Sequence, residues 1–163
     1  NYFIRSSFIS IGLSIFIIFI IAWIFFGSFR WGLLSVIPLA SAIILNFGLM
    51  GHFGVHLSHM TVLLTSVIIG VGVDFAIHYI AEFRRNARRG YSIEDVSVKT
   101  TEDVGYPILL DVASNMGFAA LLFSALIPLN YMGGLMVFAM VSTSFGTLTV
   151  LASLIQILKI KKV

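Results

Sequence analysis

The stretch GVGVDFAIHYI, residues 70–80, sets a carboxylate and an imidazole four positions apart in a run otherwise fit for lipid. Apolar and small residues extend from Thr61 to Ala81, and Asp74 is the one acidic or basic residue among them apart from His78. A helix needs about 20 such residues to cross the hydrocarbon of a bilayer. Strands there would leave backbone N–H and C=O groups without partners, so the segment is read as a membrane-spanning helix. Asp74 is then the residue to explain, because a carboxylate near mid-membrane costs roughly 2.5–3.5 kcal/mol on insertion scales.

Working outward, the rest of the chain has the same character. Of its 163 residues 59% are hydrophobic and 10% charged, with a mean hydropathy of +1.05. Soluble domains carry about 25% charged residues. Five segments reach spanning length, at roughly 8–26, 31–50, 60–82, 106–127 and 132–158, so an all-α, five-helix polytopic bundle is expected as a single domain over 1–163. There are no cysteines, which excludes disulfides and thiolate metal sites. The pI near 9.5 comes from short basic groups beside apolar spans, a placement that speaks for topology and against nucleic acid.

The connections differ in kind. GSFRWG (27–32) reads as a tight turn, GHFGVHLSH (51–59) as a Gly-rich outer loop, and PLNYMGG (128–134) as a short link. The polar segment 83–105 reads as a loop, with Ser92 and Asp95 as a capping pair opening a short interfacial helix over 93–103. Pro38 is expected to kink the second span. Five spans place the termini on opposite sides. Arg30, Arg84, Arg85, Arg88, Arg89, Lys99, Lys159, Lys161 and Lys162 then share one side, and Arg5 alone faces the other. Nine against one predicts a cytoplasmic 83–105 loop and C-terminus, with the N-terminus outside. RRNARR (84–89) is explained by that rule and by contact with lipid headgroups.

Asp74 and His78 share a helix face with Ser66 and Gly70, and Gly72 adds a further small residue, a pattern suited to close helix packing. This stripe is expected to look into the bundle, with Val71, Phe75 and Ile80 on a side suited to lipid or apolar packing. At about 1.5 Å per residue, Asp74 lies about 12 Å inside the Glu82 boundary and His78 about 6 Å. Asp111 on the fourth span lies about 9 Å from the same side, so the three fall in one layer, extended by Ser114 and Asn115. Desolvation and a neighbouring imidazolium act on such a carboxylate in opposite senses, a condition that suits proton exchange. The bland alternative is that Asp74 and His78 pair with each other or with backbone as interhelical glue. His52, His56 and His59 lack a nearby carboxylate or Cys and read as solvated loop residues, so neither a metal nor another cofactor is expected.

GVGVDFAIHYIAEFRRNARRGYSIEDV (70–96) resembles the fourth-span signature of resistance–nodulation–division (RND) transporters. It is most similar to the branch grouping mycobacterial large membrane proteins, hopanoid exporters and sterol-sensing domains of Patched-like proteins. FFGSFRWGLLSVIPLASAIILNFGLMGHFGVHLSHMT (25–61) resembles the preceding hairpin, and NMGFAALLFSALIPLNYMGGLMVFAM (115–140) the last two spans. The resemblance implies the last five helices of one half of such a membrane domain, cut from a longer protein. The first helix, the extracytoplasmic porter domain and the second half would lie elsewhere. It implies Asp74 as the proton-relay aspartate of an exporter of lipids or other hydrophobic molecules. Many relatives follow that aspartate with Tyr; Phe75 stands here, leaving His78 and Asp111 as relay partners. The implied protein is no enzyme, and its partners are the bilayer, a hydrophobic substrate, the remainder of the transporter and other copies in an oligomer. A sterol- or lipid-sensing bundle without transport shares much of the motif. An intramembrane aspartyl protease would use two carboxylates, but Val73 interrupts its Gly-Asp pair and Asp111 follows Leu110.

Overall fold

The computed structural model describes residues 2–56 and 58–158, with no β-strand among them. Helices α1 (Tyr2–Phe26), α2 (Phe29–His52), α3 (His59–Arg88) and α4 (Ile93–Asn115) follow in order. The backbone of α4 passes directly into a 3₁₀ segment, Met116–Phe123, and then turns into α5 (Ile127–Gly146). A π turn, Thr147–Leu151, joins α5 to the short α6 (Ala152–Ile157). Five stretches are long and apolar enough to span a membrane: Arg5–Phe26, Phe29–His52, Thr61–Arg88, Asp95–Phe123 and Ile127–Ile157. The all-α, five-span fold expected from hydropathy is the fold observed. Lys159, Lys161 and Lys162 fall outside the described residues.

Two connections differ from expectation. The predicted loop 83–105 is almost entirely helical: α3 continues to Arg88, and α4 starts at Ile93 without a separate interfacial helix. Gly90 turns the chain with φ +89, a conformation open to glycine, and Ser92 caps α4 by accepting from the Asp95 N–H at 3.2 Å. Its hydroxyl also donates to the Asp95 carboxylate at 2.6 Å, so the capping pair is present as read. Polar composition in this region therefore marks helix surface. The predicted 128–134 link is likewise helix: α5 begins at Ile127 with Pro128 in its first turn, where a missing N–H costs nothing. In the loop before α3, Ser58 and Thr61 form a reciprocal cap that opens the helix. Pro38 sits buried inside an uninterrupted α2.

Helix α3 is the hub, touching α1, α2, α4 and α5. Its Ile68, Ile69, Gly72, Val73, Phe75, Ala76, Tyr79, Ile80 and Phe83 are buried and cover most of its circumference. Gly72 is a contact point: a Cβ there would lie 3.1 Å from Leu39 Cδ1 on α2 and from Thr143 Cγ2 on α5. Trp31 packs beside Phe83 with ring centroids 5.8 Å apart. Across the bundle, buried Asn46 of α2 donates to the Leu135 carbonyl of α5 at 3.1 Å. Such a bond holds its partners in one register, because slipping would leave an amide unpaired in an apolar interior.

The 3₁₀ segment and α5 pack back to back through Gly133. A Cβ there would lie 2.9 Å from Leu121 Cβ and from the Phe118 carbonyl oxygen. Asn130 closes the same corner by donating to the Leu122 carbonyl. Gly133→Ala should therefore destabilise the bundle by about 1–3 kcal/mol, the usual cost of overpacking. Gly12→Ala, which meets open space, should not. Thermal unfolding of the detergent-solubilised variants measures both.

Candidate functional site

Asp74, His78 and Glu82 recur every fourth residue on α3, and Asp103, Pro107 and Asp111 do so on α4. Residues spaced this way share a helix face. The two sets, with Phe75, Val104 and Ile108, line a single cleft of about 470 Å³ between the helices. The structure thus brings together all three residues singled out from sequence, Asp74, His78 and Asp111. Four carboxylates and one imidazole line one space, with an apolar floor.

The direction in which they face differs from expectation. Ser66, Gly70, Asp74 and His78 are all exposed, and the side bearing Phe75 and Ile80 is the buried one. Nothing lies within 4 Å of where a Gly70 Cβ would be, so no helix among the described residues packs closely at that point of the stripe. Gly72, by contrast, points to the opposite side and makes the α2 and α5 contact. The physical reason is that lipid tails are as apolar as Leu, so a membrane bundle gains little by turning apolar residues outward. Close packing of α3 against four neighbours uses its apolar sides and leaves the polar strip as the open one.

Asp74 and His78 form no hydrogen bond or ion pair with each other in this structure. Asp111 is held from its own helix. The Asn115 amide donates to its carboxylate Oδ1 at 3.2 Å and to its backbone carbonyl at 3.0 Å. Ser114, grouped with Asn115 from sequence, is exposed and does not wall the cleft. Phe75 is 2% exposed; its ring belongs to the α3–α5 seam with Ile68, Met136 and Met140 as well as to the cleft wall.

Beside the cleft and toward the arginine-bearing end, α3 and α4 are sewn together by polar groups that sequence reading passed over. The Tyr79 hydroxyl, fully buried, lies 3.2 Å from Thr101 Oγ1 and 3.5 Å from Ser97 Oγ. Buried Asn86 donates to Asp103 Oδ2 at 3.1 Å and to Thr100 Oγ1 at 3.4 Å. Asp103 is also paired with Lys99 at 3.2 Å. Glu82 Oε1, shielded from solvent, sits 2.7 Å from Arg85 Nη2, an ion pair without hydrogen-bond alignment. A signal existed: Val96, Thr100, Val104, Ile108 and Val112 recur at helical spacing without a break from the expected short helix into the fourth span. His52, His56 and His59 sit at the other end, and no group of three His, Asp or Glu side chains is poised for a metal among the described residues.

The absence of native cysteine makes the cleft directly testable. A cysteine replacing His78 should react with a hydrophilic maleimide, because the cleft admits water. At Leu109, exposed on α4 outside the cleft, the same reagent should react at least about tenfold more slowly, since the reactive thiolate does not form in lipid. Ala76, fully buried, is the unreactive control.

The sequence profile of the MMPL family matches residues 1–159. A curated protein of Methanocaldococcus jannaschii, whose name says only that it is a membrane protein, is 27% identical over 141 residues. That alignment covers 86% of this chain and 36% of the relative, so the chain spans about a third of the relative's length. The five spans, the α3 motif and the length of the profile match agree: this chain is a multi-pass membrane protein and belongs to the MMPL family.

Proposed function

We propose that the chain is the membrane portion of a proton-motive-force-driven, RND-type exporter of lipids or other hydrophobic molecules. The observation that carries this reading is the shared cleft. Three ionisable residues on two helices converge on one space within spanning segments, where such residues are costly and mark proton or substrate paths. Asp74 is the relay carboxylate and His78 and Asp111 its exchange partners, with Asn115 orienting Asp111. Glu82 and Asp103 line the same cleft toward the arginine-bearing end and supply the approach for protons.

The exposed face supports the wider assembly. In lipid, Asp74 would cost roughly 2.5–3.5 kcal/mol or draw water into the bilayer. A second membrane half seated over Ser66, Gly70 and Asp74 removes that cost, and the small residues let it come close. The arginine-bearing end is cytoplasmic by the charge rule. Porter domains outside this segment convert the helix movement into substrate passage, and the complete transporter assembles as an oligomer.

In the full-length protein, Asp74→Asn should reduce export to the level seen when the proton gradient is dissipated, with the protein still inserted. Asp111→Asn should slow export and shift its pH profile. Export of unchanged rate and pH dependence in Asp74→Asn, measured in proteoliposomes with an imposed gradient, would make the relay assignment wrong. Unaltered lipid binding without any gradient-driven export in the wild type would point to a sensor.

A further inference from the structure

A second cavity opens at the arginine-bearing end, away from the acidic cleft. It has a volume of about 310 Å³ and is lined by Phe25 and Phe26 from the end of α1 and by Ala81, Arg84, Arg85 and Arg88 from α3. Half its walls are guanidinium-bearing, and no acidic residue lines it. We propose that this notch is a binding site for the phosphate of an anionic phospholipid.

The electrostatics call for an anion. Arg84 and Arg88 are i, i+4 neighbours, and like charges at that spacing oppose each other. Arg85 has a partner in Glu82 at 2.7 Å, whereas Arg88 has no ion-pair partner among the described residues. Two positive charges in the notch are thus uncompensated.

The geometry is prepared for it. Arg84 is held in place by donating from Nη1 to the Phe26 carbonyl at 2.8 Å, and its guanidinium lies 5.7 Å from the Phe26 ring centroid. These contacts cap the C-terminus of α1, where unpaired carbonyls favour a cation. They also fix the guanidinium beforehand, so less side-chain freedom is lost on binding. Its Nε is shielded from water and lacks a hydrogen-bond acceptor, an unsatisfied donor beside the notch. Guanidinium groups are suited to planar, two-point recognition of phosphate oxygens.

The surroundings select a lipid over free phosphate. The notch lies at the ends of two segments long and apolar enough to span a membrane, Arg5–Phe26 and Thr61–Arg88, which is where a spanning helix meets headgroups. Phe25 is 66% exposed, and Ile21 and Ile24 continue an open apolar surface along α1. A phosphate held by Arg84 and Arg88 therefore has a track for its acyl chains, and a soluble phosphate would leave that track unused. This goes beyond general attraction of basic residues to anionic membranes, which would need neither the notch nor the fixed Arg84.

The test uses the full-length protein in nanodiscs of equal phosphatidylglycerol and phosphatidylcholine, with retained lipid identified by native mass spectrometry. The wild type should retain phosphatidylglycerol over phosphatidylcholine by about thirtyfold, as expected for two basic residues at an anionic headgroup. Arg88→Gln, which leaves the Arg84–Phe26 bond intact, should lose most of that preference, and Arg84→Gln/Arg88→Gln all of it. Arg30→Gln, at the same end but outside the notch, should keep it. Equal retention of the two lipids by the wild type, or an unchanged preference in Arg88→Gln, would overturn the proposal. Displacement of the retained lipid by millimolar inorganic phosphate would assign the notch to the free anion and overturn the lipid assignment.

Discussion

A carboxylate inside a bilayer needs water, a cation or a covering protein surface, and the arrangement of this bundle follows from how Asp74 obtains them. The hub helix α3 packs its apolar sides against four neighbours and leaves one strip uncovered. Along that strip, α4 diverges enough to leave a cleft that admits water and four further ionisable side chains. Asp74 is thus left on the open side of α3, where water in the cleft or a covering protein surface can meet its charge. The Gly72 contact on the far side of α3 is the complement of this solution, since close approach to α2 and α5 there draws the helix away from the open side.

The two ends of the α3–α4 pair are built from different chemistry. At the cleft, side chains face one another across space without direct bonds between Asp74 and His78. Toward the arginine-bearing end the same helices are joined by Tyr79, Ser97, Thr100, Thr101, Asn86 and Asp103 in a buried polar seam. Tyr79 and Asn86 on α3 would lose these partners in a low-dielectric interior if the helices separated there. The seam holds the hairpin closed at its base while the charged positions above it keep room for solvent.

Much of this was legible in the residues themselves. Span number, helical class and the grouping of Asp74, His78 and Asp111 followed from length, spacing and rise per residue, since those are properties of single helices. The Ser92–Asp95 cap was readable because capping is local. Two things were not. Whether the Ser66–Gly70–Asp74–His78 strip faces in or out depends on which neighbours surround α3, and in lipid no hydrophobic force decides it. The extent of α3 and α4 through 83–105 was masked because charged residues on a protruding helix have the composition of a loop. The four-residue recurrence of Val96, Thr100 and Val104 into Ile108 and Val112 is what joins the expected 93–103 helix to the fourth span.

The π turn at Thr147–Leu151 has a consequence for how the fifth span meets its neighbours. Ala139, Thr143, Thr147, Leu151 and Ile155 are all essentially inaccessible, and they recur every four residues. An α-helix advances about 100° per residue, so a four-residue repeat drifts by about 40° at each step and by about 160° over the series. A stripe that wanders so far would spiral off the bundle and turn Ile155 toward lipid. Taking one extra residue into a single wide turn rewinds about 100° of that drift. The turn works as a vernier, bringing a sequence repeat of four and a helical repeat of 3.6 back into step where they would otherwise part.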